Sequence, residues 1–180
     1  MTAAECQALN EWAHQAVVLG LMSTGRNRDG QSYSKRLTTR PCGNRIEYPE
    51  LALEISNRIR QFCGVSSMPL IEDGQGRDGI VVSYTLPEGD VHAHVDGPRL
   101  SAKHSVLRCN VVTQVPDGGA ELFVGGHSFF PEHGELHCFL ASDHVHSVSK
   151  VIGDTPRILW MFGAHVLTDE WNSGKIKVGS

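Results

Sequence analysis

His94, Asp96 and a histidine much further along the chain are the residues whose types and spacing could do chemistry. Two imidazoles and one carboxylate are the ligand set of a mononuclear non-heme iron site that keeps coordination positions open. Residues two apart on a strand point to the same face, so His94 and Asp96 could grip one ion together. Neutral pH supplies both required forms, a neutral imidazole and an ionised carboxylate. The second imidazole is open between His144 and His146, which share a face, just as His92 and His94 do. Arg157 follows. Strand parity puts Arg157, Leu159, Met161 and Gly163 on one face and Ile158, Trp160 and Phe162 on the other. A guanidinium among apolar residues requires an anionic partner, and its planar fork matches a carboxylate. That partner is either internal, Asp154 or Glu135, or it belongs to a ligand.

The elements that must position these groups are legible in outline. Thr2-Ala3-Ala4-Glu5 has the form of a capping box and predicts a helix carrying Leu9, Trp12 and Ala16 on one side. Val17 to Met22 either finishes that helix or forms a short strand. Gly25 to Gly30 reads as a loop, and Tyr33 to Arg40 as a polar, basic stretch with Arg36 and Arg40 near one another, in or beside loops where either could meet a substrate carboxylate. A second helix starts at Pro49 and places Leu51, Ile55, Ile59 and Phe62 on one face, with Gly64 as its stop. From Gly79 the pattern changes to short strands separated by turn signals. The strands are expected over 80–86, 91–96, 106–114, 121–124, 127–130, 136–140, 144–148 and 157–165. Strands at this spacing argue for a sandwich or barrel, braced on one sheet by the two helices.

Composition bounds the rest. The chain has 180 residues, 40% of them hydrophobic and 20% charged, which suits one soluble globular domain. A formal net charge of -4 with no basic run gives no footprint for a nucleic-acid partner. The five cysteines, Cys6, Cys42, Cys63, Cys109 and Cys138, show no C-x-x-C pair and are odd in number. A disulfide framework and a zinc finger are therefore not expected. No signal-peptide pattern or membrane span is present, so a cytoplasmic location with no membrane partner is expected. Histidine, at ten copies, is the outlier.

His94-Val95-Asp96, then His146-Ser147-Val148 and Pro156-Arg157-Ile158, resemble the metal and co-substrate motifs of the iron(II)- and 2-oxoglutarate-dependent dioxygenases, prolyl-hydroxylase-like branch. The resemblance covers roughly residues 79 to 165 and favours His146 over His144, because of its interval to Arg157. It implies a double-stranded β-helix, a jelly roll, mostly β with flanking α. It divides the chain into a helical support region (1–78), the β core (79–166) and a C-terminal tail (167–180). It implies that His94, Asp96 and His146 hold Fe(II), that Arg157 clasps the far carboxylate of 2-oxoglutarate, and that O2 is consumed. The reaction implied is hydroxylation of an amino acid, peptide side chain or small metabolite, with release of succinate and carbon dioxide. Many members place a serine or threonine two residues after the arginine, where this chain has Leu159. Tyr84 is the hydroxyl expected to take over that role. Arg99, His104, Arg108 and Asn110 are further candidates for binding substrate. Arg108 and Asn110 share parity, so both face the pocket or neither does. The alternatives are a cupin-type metalloenzyme, suggested by His92-Ala93-His94, and a jelly-roll binding module without chemistry. The oligomeric state is not legible.

Overall fold

A computed structural model of the chain describes residues 1–26, 32–39, 46–68, 79–97 and 99–176. Twelve strands and three helices follow one another as α1 (Ala3–Val18), β1 (Ser23–Arg26), β2 (Ser32–Thr38), α2 (Glu50–Cys63), β3 (Ile80–Thr85), β4 (Val91–His94), β5 (His104–Gln114), β6 (Gly118–Gly119), β7 (Leu122–Val124), β8 (His127–Phe129), β9 (Leu136–Leu140), β10 (His146–Val148), β11 (Val151–Ile152), β12 (Arg157–Leu167) and α3 (Thr168–Asn172). They form a six-stranded sheet in the order β1-β2-β3-β12-β5-β9, a four-stranded sheet β4-β10-β7-β8 and a small β11-β6 pair. Every pairing is antiparallel. This is the expected two-sheeted jelly roll, mostly β with flanking helices.

The large sheet is buried on both faces. On its outer face Ile158, Trp160, Phe162, Ala164 and Val166 of β12 join Ile80, Val82 and Tyr84 of β3 and Leu107, Cys109 and Val111 of β5. The helices cover this face with Leu9, Ala13 and Ala16 of α1 and Ala52, Ile55, Ile59 and Cys63 of α2. Trp12 and Tyr48 close over Trp160, with ring centroids 5.4 and 6.2 Å from it. Burying each large side chain here is worth about 1.5–3 kcal/mol. On the inner face Val81, Val112, Leu159 and Met161 form a separate apolar patch. Val124 of the small sheet packs against Val106, Phe139 and Ala141, which holds the two sheets together.

Several elements depart from the sequence reading. α1 absorbs Val17 and Val18 and is capped at Leu19, so no strand begins at Val17. The segment before residue 79 is more than a helical support. β1 and β2 extend the large sheet, with Arg36, Leu37 and Thr38 paired to Thr85, Tyr84 and Ser83. β2 is irregular in composition, and alternation alone does not mark it. Arg40 lies outside the described residues. Phe62, expected on the apolar face of α2, is 51% exposed, and Cys63 takes the inward position. Gly118-Gly119 forms a two-residue strand against β11. Gly119 has φ +67, and a Cβ there would meet the Lys150 carbonyl oxygen, so only glycine fits. The C-terminal stretch contributes α3 and the buried Ile176. Among the described residues no helix is long and apolar enough to cross a membrane.

The capping box at Thr2 forms as expected. The Thr2 hydroxyl accepts the Glu5 N–H at 3.2 Å, and the Glu5 carboxylate accepts the Thr2 N–H at 2.8 Å. Glu5 also receives Arg58 of α2 at 2.5 Å, tying the two helices together. The Arg58 hydrogen bond, followed by the Thr2 backbone, lowers the Glu5 carboxyl to about 2. Glu5→Gln should cost about 0.5 kcal/mol, since glutamine keeps the cap acceptor and solvent screens the lost ion pair. The lowered group stabilises fully above its ordinary value of 4.5 and loses that contribution as pH falls towards 2. Denaturant midpoints of the two proteins should therefore differ at pH 7 and converge near the acid end.

Candidate active site

The site begins with a cross-strand pair. β10 lies between β4 and β7, and His146 sits directly opposite His94. Their rings stand 4.2 Å apart, tilted by 50°. The backbone fixes the two imidazoles in the same way. His94 Nδ1 donates to the His92 carbonyl at 2.8 Å, and His146 Nδ1 to the His144 carbonyl at 3.1 Å. A carbonyl can only accept, so Nδ1 carries the proton in both rings and each Nε2 offers a lone pair. Both lone pairs face Asp96, whose Oδ1 lies 3.6 Å from His94 Nε2 and 3.8 Å from His146 Nε2.

Asp96 lies just past the end of β4, and its N–H donates to the Ala141 carbonyl at 2.8 Å. Its other oxygen, Oδ2, accepts Arg108 Nε from the large sheet at 2.7 Å. Burial alone would raise the Asp96 carboxyl. The Arg108 guanidinium, with His94 and His146, overrides this and holds it well below the usual carboxylate range. Burial drives His146 down to about 4 against the pull of Asp96. Asp96 is therefore anionic and His146 neutral near neutral pH, which is what a divalent cation needs. One donor atom from each of the three residues lies within 4.8 Å of the others. Their side chains are 13%, 17% and 11% exposed, so the cluster opens to a mouth rather than being sealed. Three donors with an open side suit a metal that must also accept exogenous ligands.

Arg157 opens β12 on the inner face and is 2% exposed. Thr85 of β3 lies opposite it, and Arg36 of β2 lies opposite Thr85 on the other side. Two buried guanidiniums thus flank one hydroxyl across three adjacent strands. Burial, then the charge of Arg36, pulls Arg157 down to about 10, so it remains cationic at neutral pH. Among the described residues no carboxylate pairs with it. Glu135, an expected internal partner, lies 3.1 Å from His137 instead. Arg36 Nε donates to Ser83 Oγ at 2.7 Å, while the buried Thr85 Oγ1 has no hydrogen-bond partner. A pocket lined by Val112, Val115, Gly119, Phe130 and Pro131 reaches Arg157. A pocket that ends on a buried guanidinium suits an anionic ligand.

Tyr84 requires a correction. Its parity on β3 is opposite to that of Ser83 and Thr85, and it pairs with Ile158 rather than Arg157. The ring lies in the core under the helices, and its hydroxyl meets His14 Nδ1 at 3.0 Å. The hydroxyls beside Arg157 are Thr85 and Ser83, one residue to either side of Tyr84. Arg108 and Asn110 both face inward. Arg108 positions Asp96, and Asn110 lies opposite His137 with its Oδ1 buried and unpartnered. Arg99 reaches Asp143 at 3.0 Å and the Ser142 carbonyl at 3.1 Å, so its charge is already matched within the protein. His104 pairs with Leu167, at the opposite end of β12 from Arg157, and bonds to Ser101. Neither converges with the cluster. Sequence reasoning placed Arg36 only as a candidate loop cation and gave no site role to Thr85 or Ser83. The signal that could have found them is the alternation Ser83-Tyr84-Thr85, which forces a choice between the tyrosine and its two neighbours.

No protein-family model matches the chain, and no curated protein matches its sequence. The fold, however, is shared with solved structures. One is the viral collagen prolyl hydroxylase vCPH from Paramecium Bursaria Chlorella virus-1 in its 2OG complex. It has a TM-score of 0.60 and 18% identity over 93% of this chain and 92% of that one. A Pseudomonas putida prolyl-4-hydroxylase aligns at 0.59 and 15% identity, covering 90% and 87% of the two chains. HygX from Streptomyces hygroscopicus, with nickel and 2-oxoglutarate bound, aligns at 0.57 and 13% identity, covering 93% and 80%. At these identities the likeness establishes the jelly-roll fold.

Arg108 is expected to matter for metal without touching it. Arg108→Gln should weaken divalent-metal affinity by about 10- to 100-fold, the range seen when a ligand loses its supporting partner. Isothermal titration with Mn(II) under anaerobic conditions measures this, with circular dichroism to confirm the fold.

Proposed function

We propose that the chain is an iron(II)- and 2-oxoglutarate-dependent oxygenase that hydroxylates an unactivated C–H bond of an amino acid, a peptide side chain or a small metabolite. The observation that carries this reading is the pairing of two features in one barrel. A two-histidine, one-carboxylate cluster stands at one end of the inner face, and a buried guanidinium that meets no carboxylate among the described residues stands at the other. Leu159 and Met161 lie on β12 between them, as a dry wall. A dicarboxylate with a chelating keto-acid end supplies what each feature lacks. The fold shared with structures solved in complex with 2-oxoglutarate supports the same reading.

His94, Asp96 and His146 would hold the iron, which when bound couples oxidation of 2-oxoglutarate by O2 to succinate and carbon dioxide with insertion of one oxygen atom into a C–H bond. The chain's own residues do the rest. The His92 and His144 carbonyls hold both Nε2 lone pairs towards Asp96, and Arg108 keeps that carboxylate ionised and aimed. Arg157 takes the far carboxylate of the co-substrate bidentately, with Thr85 donating its free hydroxyl and Arg36 adding charge from the neighbouring strand. Val81, Val112, Leu159 and Met161 exclude water along the way, which protects a reactive centre from side reactions. The substrate would approach through the open side of the metal cluster. The net charge of -4 and the scattered cations make nucleic acid a poor candidate partner. His92, the residue needed for a cupin-type H-x-H pair, does not join His94 in the cluster, where His146 and Asp96 do.

Incubation with Fe(II), ascorbate, O2 and 2-oxoglutarate should yield succinate, quantified by mass spectrometry. His94→Ala, Asp96→Ala and His146→Ala should reduce it to background. Arg157→Met should raise the KM for 2-oxoglutarate about 100-fold, the effect of losing a desolvated charge-assisted contact of ~3 kcal/mol. Tyr84→Phe should leave that KM unchanged, while Thr85→Val should raise it about tenfold through loss of one hydrogen bond to a charged group. Metal binding with no response to 2-oxoglutarate would rule the reading out.

A further inference from the structure

On the outer face of the large sheet, away from the metal cluster, three cysteines from three elements meet. Cys109 of β5 and Cys138 of β9 are direct cross-strand partners. Cys63, at the end of α2, comes down onto them from the helical layer. Their three sulphur atoms all lie within 4.8 Å of one another. None is in a disulfide. Cys63 is 0% and Cys109 3% exposed, while Cys138 sits half-buried on an edge strand. A buried cysteine ordinarily acts as a small apolar group among carbon atoms. Three of them converging on one another is a different arrangement, because each sulphur forgoes carbon contacts to face two more sulphurs.

We propose that Cys63, Cys109 and Cys138 form a thiolate site for a soft, thiophilic d10 cation, Cu(I) or Zn(II). Thiolates select these ions over the harder metals that suit imidazole and carboxylate. Three bonds of about 2.3 Å to one ion require sulphurs about 4 Å apart, so small side-chain rotations close the triangle. Hydrogen bonds from Cys109 and then Cys138 lower the Cys63 thiol, while the same contacts and burial push Cys109 and Cys138 up, so the ion must displace the protons of those two. Binding displaces one proton from each thiol still protonated and changes no oxidation state. The half-buried Cys138 gives the route of entry. Zn(II) would need a water as fourth ligand on that side, which Cu(I) does not. Such an ion would pin the end of α2 to the edge of the sheet, and it would be chemically separate from the cluster at His94.

The test uses the full chain with His94→Ala and Asp96→Ala, so that the other metal cluster is silent, reduced and freed of metal. It is titrated anaerobically in two arms, with Cu(I) delivered from a competing chelator and with Co(II) as a spectroscopic substitute for Zn(II). One equivalent should bind in at least one arm, and the arm that responds identifies the ion. X-ray absorption should show a shell of three sulphurs, and the melting temperature should rise with metal concentration. Cys138→Ser, on the half-exposed edge, should weaken binding by about 100-fold or more, as expected for one bond removed from a site of zinc-finger-like strength. Cys6→Ala should bind as before. No uptake in either arm, uptake without sulphur in the shell, or full affinity in Cys138→Ser would overturn the proposal. The X-ray absorption result needs no cysteine variant, so it stands even if Cys138→Ser folds poorly.

Discussion

Strict alternation along β12 is the constraint on which the molecule depends. The strand runs through the middle of the large sheet, and both of its faces are buried. One set of side chains, Ile158, Trp160 and Phe162, packs under the helices. The other, Arg157, Leu159 and Met161, faces the small sheet. A slip by one residue would drive Arg157 into the aromatic core around Trp12 and Tyr48 and deliver Trp160 to the recess. Such a slip exposes a buried charge to an apolar medium, so the register is held by electrostatics as firmly as by packing.

The same constraint explains how the two polar groups are built by different means. The His94–His146 pair belongs to the small sheet, where two histidines face each other across one strand pair and the backbone itself sets their tautomer. The Arg157 group belongs to the large sheet, where cations from β2 and β12 flank a hydroxyl on β3. Arg108 reaches from the large sheet to Asp96, beside the histidine pair. Apart from Asp96, these polar groups sit on strands and are fixed by strand geometry.

The core was legible because its strands alternate over six or more residues and are punctuated by glycine and proline. The clustering of His94, Asp96 and His146 was legible because the first two lie two apart and His146 begins a recognisable strand. Tyr84 was misread because its position in the chain was considered without its parity, although the parity of Arg157 had been worked out. Arg36 was read only as a loop cation because β2 lacks a clean period and its partner strand lies far along the chain. Cys63 was missed because Phe62 is the more hydrophobic neighbour and was given the inward position. The convergence of three cysteines depends on which of these two faces in, and no spacing rule records it.

The Arg108–Asp96 contact has a mechanical consequence. It crosses from one sheet to the other at the very group that would carry the ion. Any breathing motion that parts the sheets must loosen this carboxylate at the same moment, so retention of the ion and closure of the barrel share one latch. An occupied centre would act as a rivet through both layers, slowing their separation, and the empty protein would be the more pliant form.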